Sequence, residues 1–149
     1  MPPRKTVLAT GVFDLLHIGH LRFLEESKRK GGRRAKLVVV VARDETVLHR
    51  KGRLPVMPEA QRRELVGALR VVDRAILGRR EIDLLGILKE IRPDILSFGY
   101  DQNQIRLSVV DLIRREGLPV RVIRIGRFGP ESLNSSSTLK KRVAKAVSS

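Results

Sequence analysis

The stretch 5-KTVLATGVFDLLHIGHL-21 joins two different periodicities. Residues 5–10 are a short, continuous apolar run of the kind found in strands buried on both faces. Beyond the glycine and the two histidines, Leu21, Leu24 and the charged residues 25–29 recur at helical spacing until Gly31 and Gly32 stop the helix. A second apolar run, 36-KLVVVVA-42, then completes a βαβ unit. Further along, the spacing predicts a helix over 58–69, opened by a proline and an acid, a strand over 74–77, and a helix over 82–91 closed by Pro93. A strand over 95–98, a helix over 105–116 ended by Gly117 and Pro119, a strand over 120–125 and a last helix over 137–147 complete the chain. Strands alternating with helices predict an α/β fold: a Rossmann-like parallel sheet with helices on both faces, in one domain over residues 1–149. The loose tract, 126–136, is rich in Gly, Ser and Pro and follows the last strand, where a ligand can sit.

Composition bounds the chemistry. The chain has 149 residues, enough for one real core, and 42% hydrophobic residues without any apolar run near the roughly 20 needed to span a bilayer. No membrane association is expected, and with no export signal before the first strand the expected location is the cytoplasm. The absence of cysteine excludes disulfides, thiolate metal sites and a cysteine nucleophile. A charge of +15, from 31 Lys and Arg against 16 Asp and Glu, sets up a field attractive to polyanions. Nucleic acid is disfavoured as the partner, because the basic residues are spread from Arg4 to Lys145, aromatics are 3%, and no helix-turn-helix, zinc-finger or RNP-type pattern occurs.

In an open α/β sheet, ligands bind beyond the carboxyl ends of the strands where strand order reverses. The segment 11-GVFDLLHIGH-20 lies directly after the first strand, so His17 and His20 are expected at that cleft. Three residues apart at a helix start, their ring N–H groups and the first-turn amides can converge on one anion, with Gly11 and Gly19 allowing close backbone approach. Zinc binding would require a third ligand, and His49 is the one remaining histidine, so no metal is assigned to the histidines. The plainer alternative is a pair of structural histidines capping a turn.

The pattern G-x-F-D-x-x-H-x-G-H resembles the signature of the cytidylyltransferase-like nucleotidyltransferases. The blocks 40-VVARDETV-47, 51-KGRLPVMPEAQRRELVGALRVVDRAILG-78, 93-PDILSFGYDQ-102 and 135-SSSTLKKRV-143 are similar to successive blocks of the archaeal FAD synthases, and together cover nearly the whole chain. The last block departs from the wider family's pattern, with Asn134 where Ile is common and Ser136-Ser137 where two Thr often stand, although the hydroxyls are kept.

The resemblance implies transfer of the adenylyl group of ATP to FMN, giving FAD and pyrophosphate, with Mg²⁺ or another divalent cation accompanying ATP. It implies His17, His20 and Lys51 as catalytic groups, His20 nearest the α-phosphate. Nucleotide contacts are implied for Gly11, Val12, Phe13, Ile18, Gly19, Asp101, Arg127, Phe128, Ser135, Ser136 and Ser137. Arg62 is expected to clamp a substrate phosphate, its alternative being a helix-surface arginine. Ser135 to Thr138, at a helix start, suit a second anion site or an ordinary N-cap. Asp14 is expected to orient its loop or approach the cation, without direct ligation. A homodimer is compatible with the family. The competing reading is a CTP-dependent cytidylyltransferase acting on glycerol 3-phosphate or a related polyol phosphate, which shares the histidine and hydroxyl elements; a basic nucleic-acid-binding module is more remote.

Overall fold

In the run LVVVV of the second strand, alternate side chains leave in opposite directions, and this is what builds the protein around the strand. Leu37, Val39 and Val41 join a cluster with Val7, Ala9, Leu24 and Val66 on one face. Val38 and Val40 join Leu8, Leu96, Phe98, Ile87, Leu88 and Val109 on the other. A period of two therefore serves two cores at once, which is why the strand reads as continuously apolar.

The structure is a computed structural model and describes residues 3–79, 83–126 and 136–148, with Ser136 and Ser137 described by backbone alone. The elements are β1 (Thr6–Gly11), α1 (Ile18–Lys30), β2 (Lys36–Val41), α2 (Asp44–Lys51), α3 (Glu59–Gly67), β3 (Arg74–Leu77), α4 (Leu84–Ile91), β4 (Ile95–Phe98), α5 (Asn103–Glu116), β5 (Arg121–Arg124) and α6 (Ser136–Ser148). All strand pairs are parallel, in the order β3-β2-β1-β4-β5. The chain builds outward from β1 through β2 to β3, then crosses to the other side of β1 for β4 and β5. The order thus reverses between β1 and β4, the switch point that opens a crevice at the carboxyl ends of those strands. Among the described residues no helix is long and apolar enough to cross a membrane.

The expected strands and helices are present, with ends shifted by one or two residues. One element is additional. Helix α2 (DETVLHRK) buries a single apolar residue, Val47, so it carries no helical hydrophobic period to read. It is held at its start by charge instead: the Asp44 amide donates to Glu59 Oε1 and the Glu59 amide to Asp44 Oδ2, so α2 and α3 cap each other. Gly52, at φ 73°, ends α2 in the left-handed conformation.

Candidate active site

Between β1 and α1 the chain turns through two unusual conformations, with φ at 55° for Phe13 and 51° for Leu15. Bulky residues rarely adopt positive φ, and such strain persists where the surroundings over-determine it. Here they do. Asp14, between the two, is buried and accepts the amides of Val56 (2.8 Å) and Met57 (3.0 Å) through its two oxygens. The ammonium of Lys140, on α6, lies 3.1 Å from Asp14 Oδ2. Burial alone raises a carboxyl's pKa, but the two amides and Lys140 together outweigh it and hold Asp14 below the usual range. Asp14 therefore orients its loop, the first of the two roles expected for it.

The Phe13 ring folds back over Gly11. A Cβ at Gly11 would stand 2.8 Å and 2.9 Å from two carbons of that ring. The expectation that Gly11 makes room for a ligand is corrected on this point: the space is taken by Phe13, whose ring packs 5.4 Å, centroid to centroid, from that of His20.

His17 is the N-cap of α1. Its Nδ1 accepts the Gly19 amide at 3.0 Å, and His20 Nδ1 accepts the His17 amide at 3.2 Å, a capping box built from histidines. An Nδ1 that accepts a hydrogen bond carries no proton, so each imidazole is the neutral tautomer protonated at Nε2. Burial drives the His20 pKa down to about 3, with the adjacent His17 lowering it further and Asp14 opposing; burial also lowers His17. Of the two alternatives offered by the sequence, turn caps or anion donors, the structure shows the caps. Nδ1 does the capping, so Nε2–H takes no part in it.

A cavity of about 360 Å³ opens over these residues, within the range of small-ligand sites. Gly11, Val12, Phe13, His17, Gly19, His20, Lys51 and Asp101 all line it, so the structure gathers eight of the predicted residues in one place. Lys51 is the last residue of α2, exposed at the rim; Asp101 follows β4 across the switch point. Ile18, the first residue of α1, is not among the lining residues. Arg127, Phe128 and Ser135 lie outside the described residues, while Ser136 and Ser137 open α6.

Arg62 requires a correction. It is neither a surface residue of α3 nor a phosphate clamp: it is fully buried, does not line the cavity, and donates to Met57, Val12 and Ala42 carbonyls and to Asp44. A guanidinium so committed cannot reach a substrate without abandoning several buried acceptors.

Sequence reasoning missed most of the cavity's positive charge. Arg43, Arg50, Arg53, Arg79 and Lys140 line it together with Lys51. The cluster RKGR hinted at part of this; Lys140 and Arg79 are brought in by the fold. Leu54, Pro55, Leu84, Ile87 and Ile105 supply an apolar wall, so the cavity suits a ligand that is both anionic and in part apolar. Among the described residues no group of three His, Asp or Glu is placed to hold a metal ion.

The family model described as cytidylyltransferase-like matches residues 8–142. A curated protein of Thermoplasma volcanium named FAD synthase is 43% identical over 141 residues, covering 95% of each chain. One of Methanothermobacter marburgensis, also named FAD synthase, is 45% identical over 141 residues, 95% of this chain and 86% of the other. Among solved structures, a Thermoplasma volcanium protein described as a lipopolysaccharide core biosynthesis protein superposes with a TM-score of 0.77 at 42% identity, over 85% of this chain and 100% of that one. The pantoate-beta-alanine ligase of Francisella tularensis, complexed with beta-gamma ATP and beta-alanine, shares the fold alone: TM-score 0.66 at 13% identity, over 93% of this chain and 65% of that one.

Proposed function

The chain belongs to the cytidylyltransferase-like family, and from that premise we propose that it makes FAD, transferring the adenylyl group of ATP to FMN with release of pyrophosphate. The observation that carries this reading is the agreement, over nearly the whole chain, with archaeal proteins named FAD synthase. The paired neutral histidines facing a cationic cavity are the chemical counterpart.

In the reaction an oxygen of the FMN phosphate attacks the α-phosphorus of ATP, a P–O bond to that oxygen forms, and the bond to the β,γ-diphosphate breaks. Charge builds on the equatorial and leaving oxygens, so the protein's task is to position the reactants and to stabilise that charge. The Nε2–H groups of His17 and His20 donate to those oxygens. A donor already neutral needs no proton transfer to act, and its ring is held rigid by its own capping bond. Lys51, a compact cation on a flexible stem, follows the triphosphate as it moves. Arg50 and Arg53 lower the electrostatic cost of bringing an anionic acceptor next to ATP, whereas Arg43 and Arg79 are partly neutralised by Glu59 and by Asp83 and Glu90.

A divalent cation accompanies ATP and neutralises its phosphates. The residues fit a cation held by the nucleotide better than one in a protein cage, because both Asp14 oxygens already accept backbone amides. Lys140 next to Asp14 adds repulsion to that position.

The test is direct: incubate the protein with Mg²⁺, FMN and either ATP or CTP, and separate the products. FAD and pyrophosphate from ATP are expected. A cytidylyl product from CTP and glycerol 3-phosphate, without FAD, would replace this reading with the polyol phosphate cytidylyltransferase.

A further inference from the structure

The parallel ladder between β1 and β2 ends at the pair Gly11 and Val41, closed by the Ala42 amide on the Gly11 carbonyl at 2.9 Å. Beyond that pair the two chains part, β1 toward the histidines and β2 toward α2. Their next two carbonyls, those of Val12 and Ala42, both accept from the same nitrogen of Arg62, Nη1, at 2.8 Å each. Nε donates to the Met57 carbonyl at 2.9 Å, and Nη2 to Asp44 Oδ1 at 2.6 Å. The neighbouring strand is tied in the same way. Arg43 Nε donates to the carbonyl of Gly78, the residue after β3, while its Nη1 pairs with Glu59. Two arginines thus hold together the ends of three adjacent strands, at the edge of the sheet where the cavity opens.

We propose that Arg62 is a positioning residue for the reaction above. By clipping the Val12 and Ala42 carbonyls together just past the last ladder pair, it fixes the turn at Phe13, and through the Phe13 ring the placement of His20.

Pinning the Val12 carbonyl on one side and Asp14 on the other leaves Phe13 its left-handed backbone, with its ring over Gly11 and against His20. Movement of the Val12 carbonyl therefore reaches the imidazole through a single packed ring. The fork geometry is essential, since four bonds leave in directions fixed by one planar group. A lysine ammonium at the same place keeps the charge opposite Asp44 but cannot hold both carbonyls and Met57. An effect on placement rather than on binding should appear in kcat and leave KM nearly alone, because small misplacements at the reacting atoms cost rate steeply.

The experiment compares wild type with R62K and R62M at a temperature where circular dichroism shows each variant folded. For R62K, kcat for FAD formation should fall roughly 10- to 100-fold, with KM for ATP and for FMN within about threefold of wild type. The His20 ring resonances in NMR spectra of the ligand-free protein should shift. Unchanged kcat and unshifted His20 in folded R62K would overturn the proposal, as would a loss confined to KM, which is the signature of a phosphate clamp. If neither variant folds, F13L decides: it leaves the Arg62 bonds in place and removes the ring between clip and histidine. It should lower kcat and shift His20, and an unaltered kcat would refute the chain of contacts. The inference rests on the proposed activity only for its kinetic arm. Should wild type make no FAD, that activity fails, while the His20 shift still tests the clip by itself.

Discussion

The rings of His17 and His20 stack with centroids 3.8 Å apart and planes 24° from parallel. Two imidazolium ions cannot share that geometry without strong repulsion, and each Nδ1 is already bonded as an acceptor. The pair is consequently held neutral by its own hydrogen bonds as well as by burial, and several properties of the protein depend on it.

Stability should fall as pH drops below the unfolded histidine value. Both folded pKa values lie below the ordinary 6.5, that of His20 at about 3, so in this window the unfolded chain binds protons that the folded one does not. The contribution is fully present above about pH 6.5 and is lost on acidification, at up to about 1.4 kcal/mol per pH unit for His20, with half-buried His17 acting in the same direction and more weakly because water screens it. Asp14, depressed below 3.8, adds its own loss only at lower pH. Urea unfolding of wild type and His20→Asn between pH 7 and pH 4 checks this: the variant should show the shallower slope, and parallel slopes would contradict a depressed His20.

His20→Asn also separates the two jobs of the ring. Asn can accept the His17 amide in place of Nδ1, but it presents no donor where Nε2 stood. Turnover should fall about 10²- to 10³-fold, the usual cost of one donor aimed at developing charge. The thermal midpoint should move by only a few degrees, roughly what ~1 kcal/mol produces in a domain of this size. Comparable losses in both would make His20 a capping residue alone.

The ion pair of Lys140 with Asp14 links α6 to the loop after β1. Lys140→Met removes the ammonium 3.1 Å from the buried Asp14 carboxylate, so a destabilisation of about 1–2 kcal/mol is expected, below the range for fully buried pairs because Lys140 is partly exposed. In the same variant the Asp14 pKa should rise. Carbon-detected titration of the carboxyl measures this, and an unmoved value would show that Lys140 does not hold it down.

Gly11→Ala should destabilise by about 1–3 kcal/mol, the range for overpacking, since the new Cβ meets the Phe13 ring at 2.8 Å. The double variant with Phe13→Leu should be less destabilised than the sum of the singles, because the clash partner is gone. Strict additivity in chemical denaturation would place the cost of Gly11→Ala elsewhere.

The sequence by itself determined the parallel sheet, the order of the strands and of the helices other than α2, and the meeting of Gly11, Val12, Phe13, His17, Gly19 and His20 at one crevice. These features were legible because they are local: apolar periodicity marks an element, and the histidines stand next to the strand that places them. Helix α2 was not legible, since its first turn is capped by Glu59 and it buries only Val47. The role of Arg62 was misread for a related reason. In the helix EAQRRELVG it looks like any exposed cation, and only the packed chain brings it to Val12, 50 residues away, and to Ala42. Tertiary structure decided that Arg62 became a buried tie off the cavity, while Arg50 and Lys51 line it. A charged residue carries no local mark of its partner: burial selects it by whichever acceptors the distant parts of the chain deliver, and water would satisfy it otherwise.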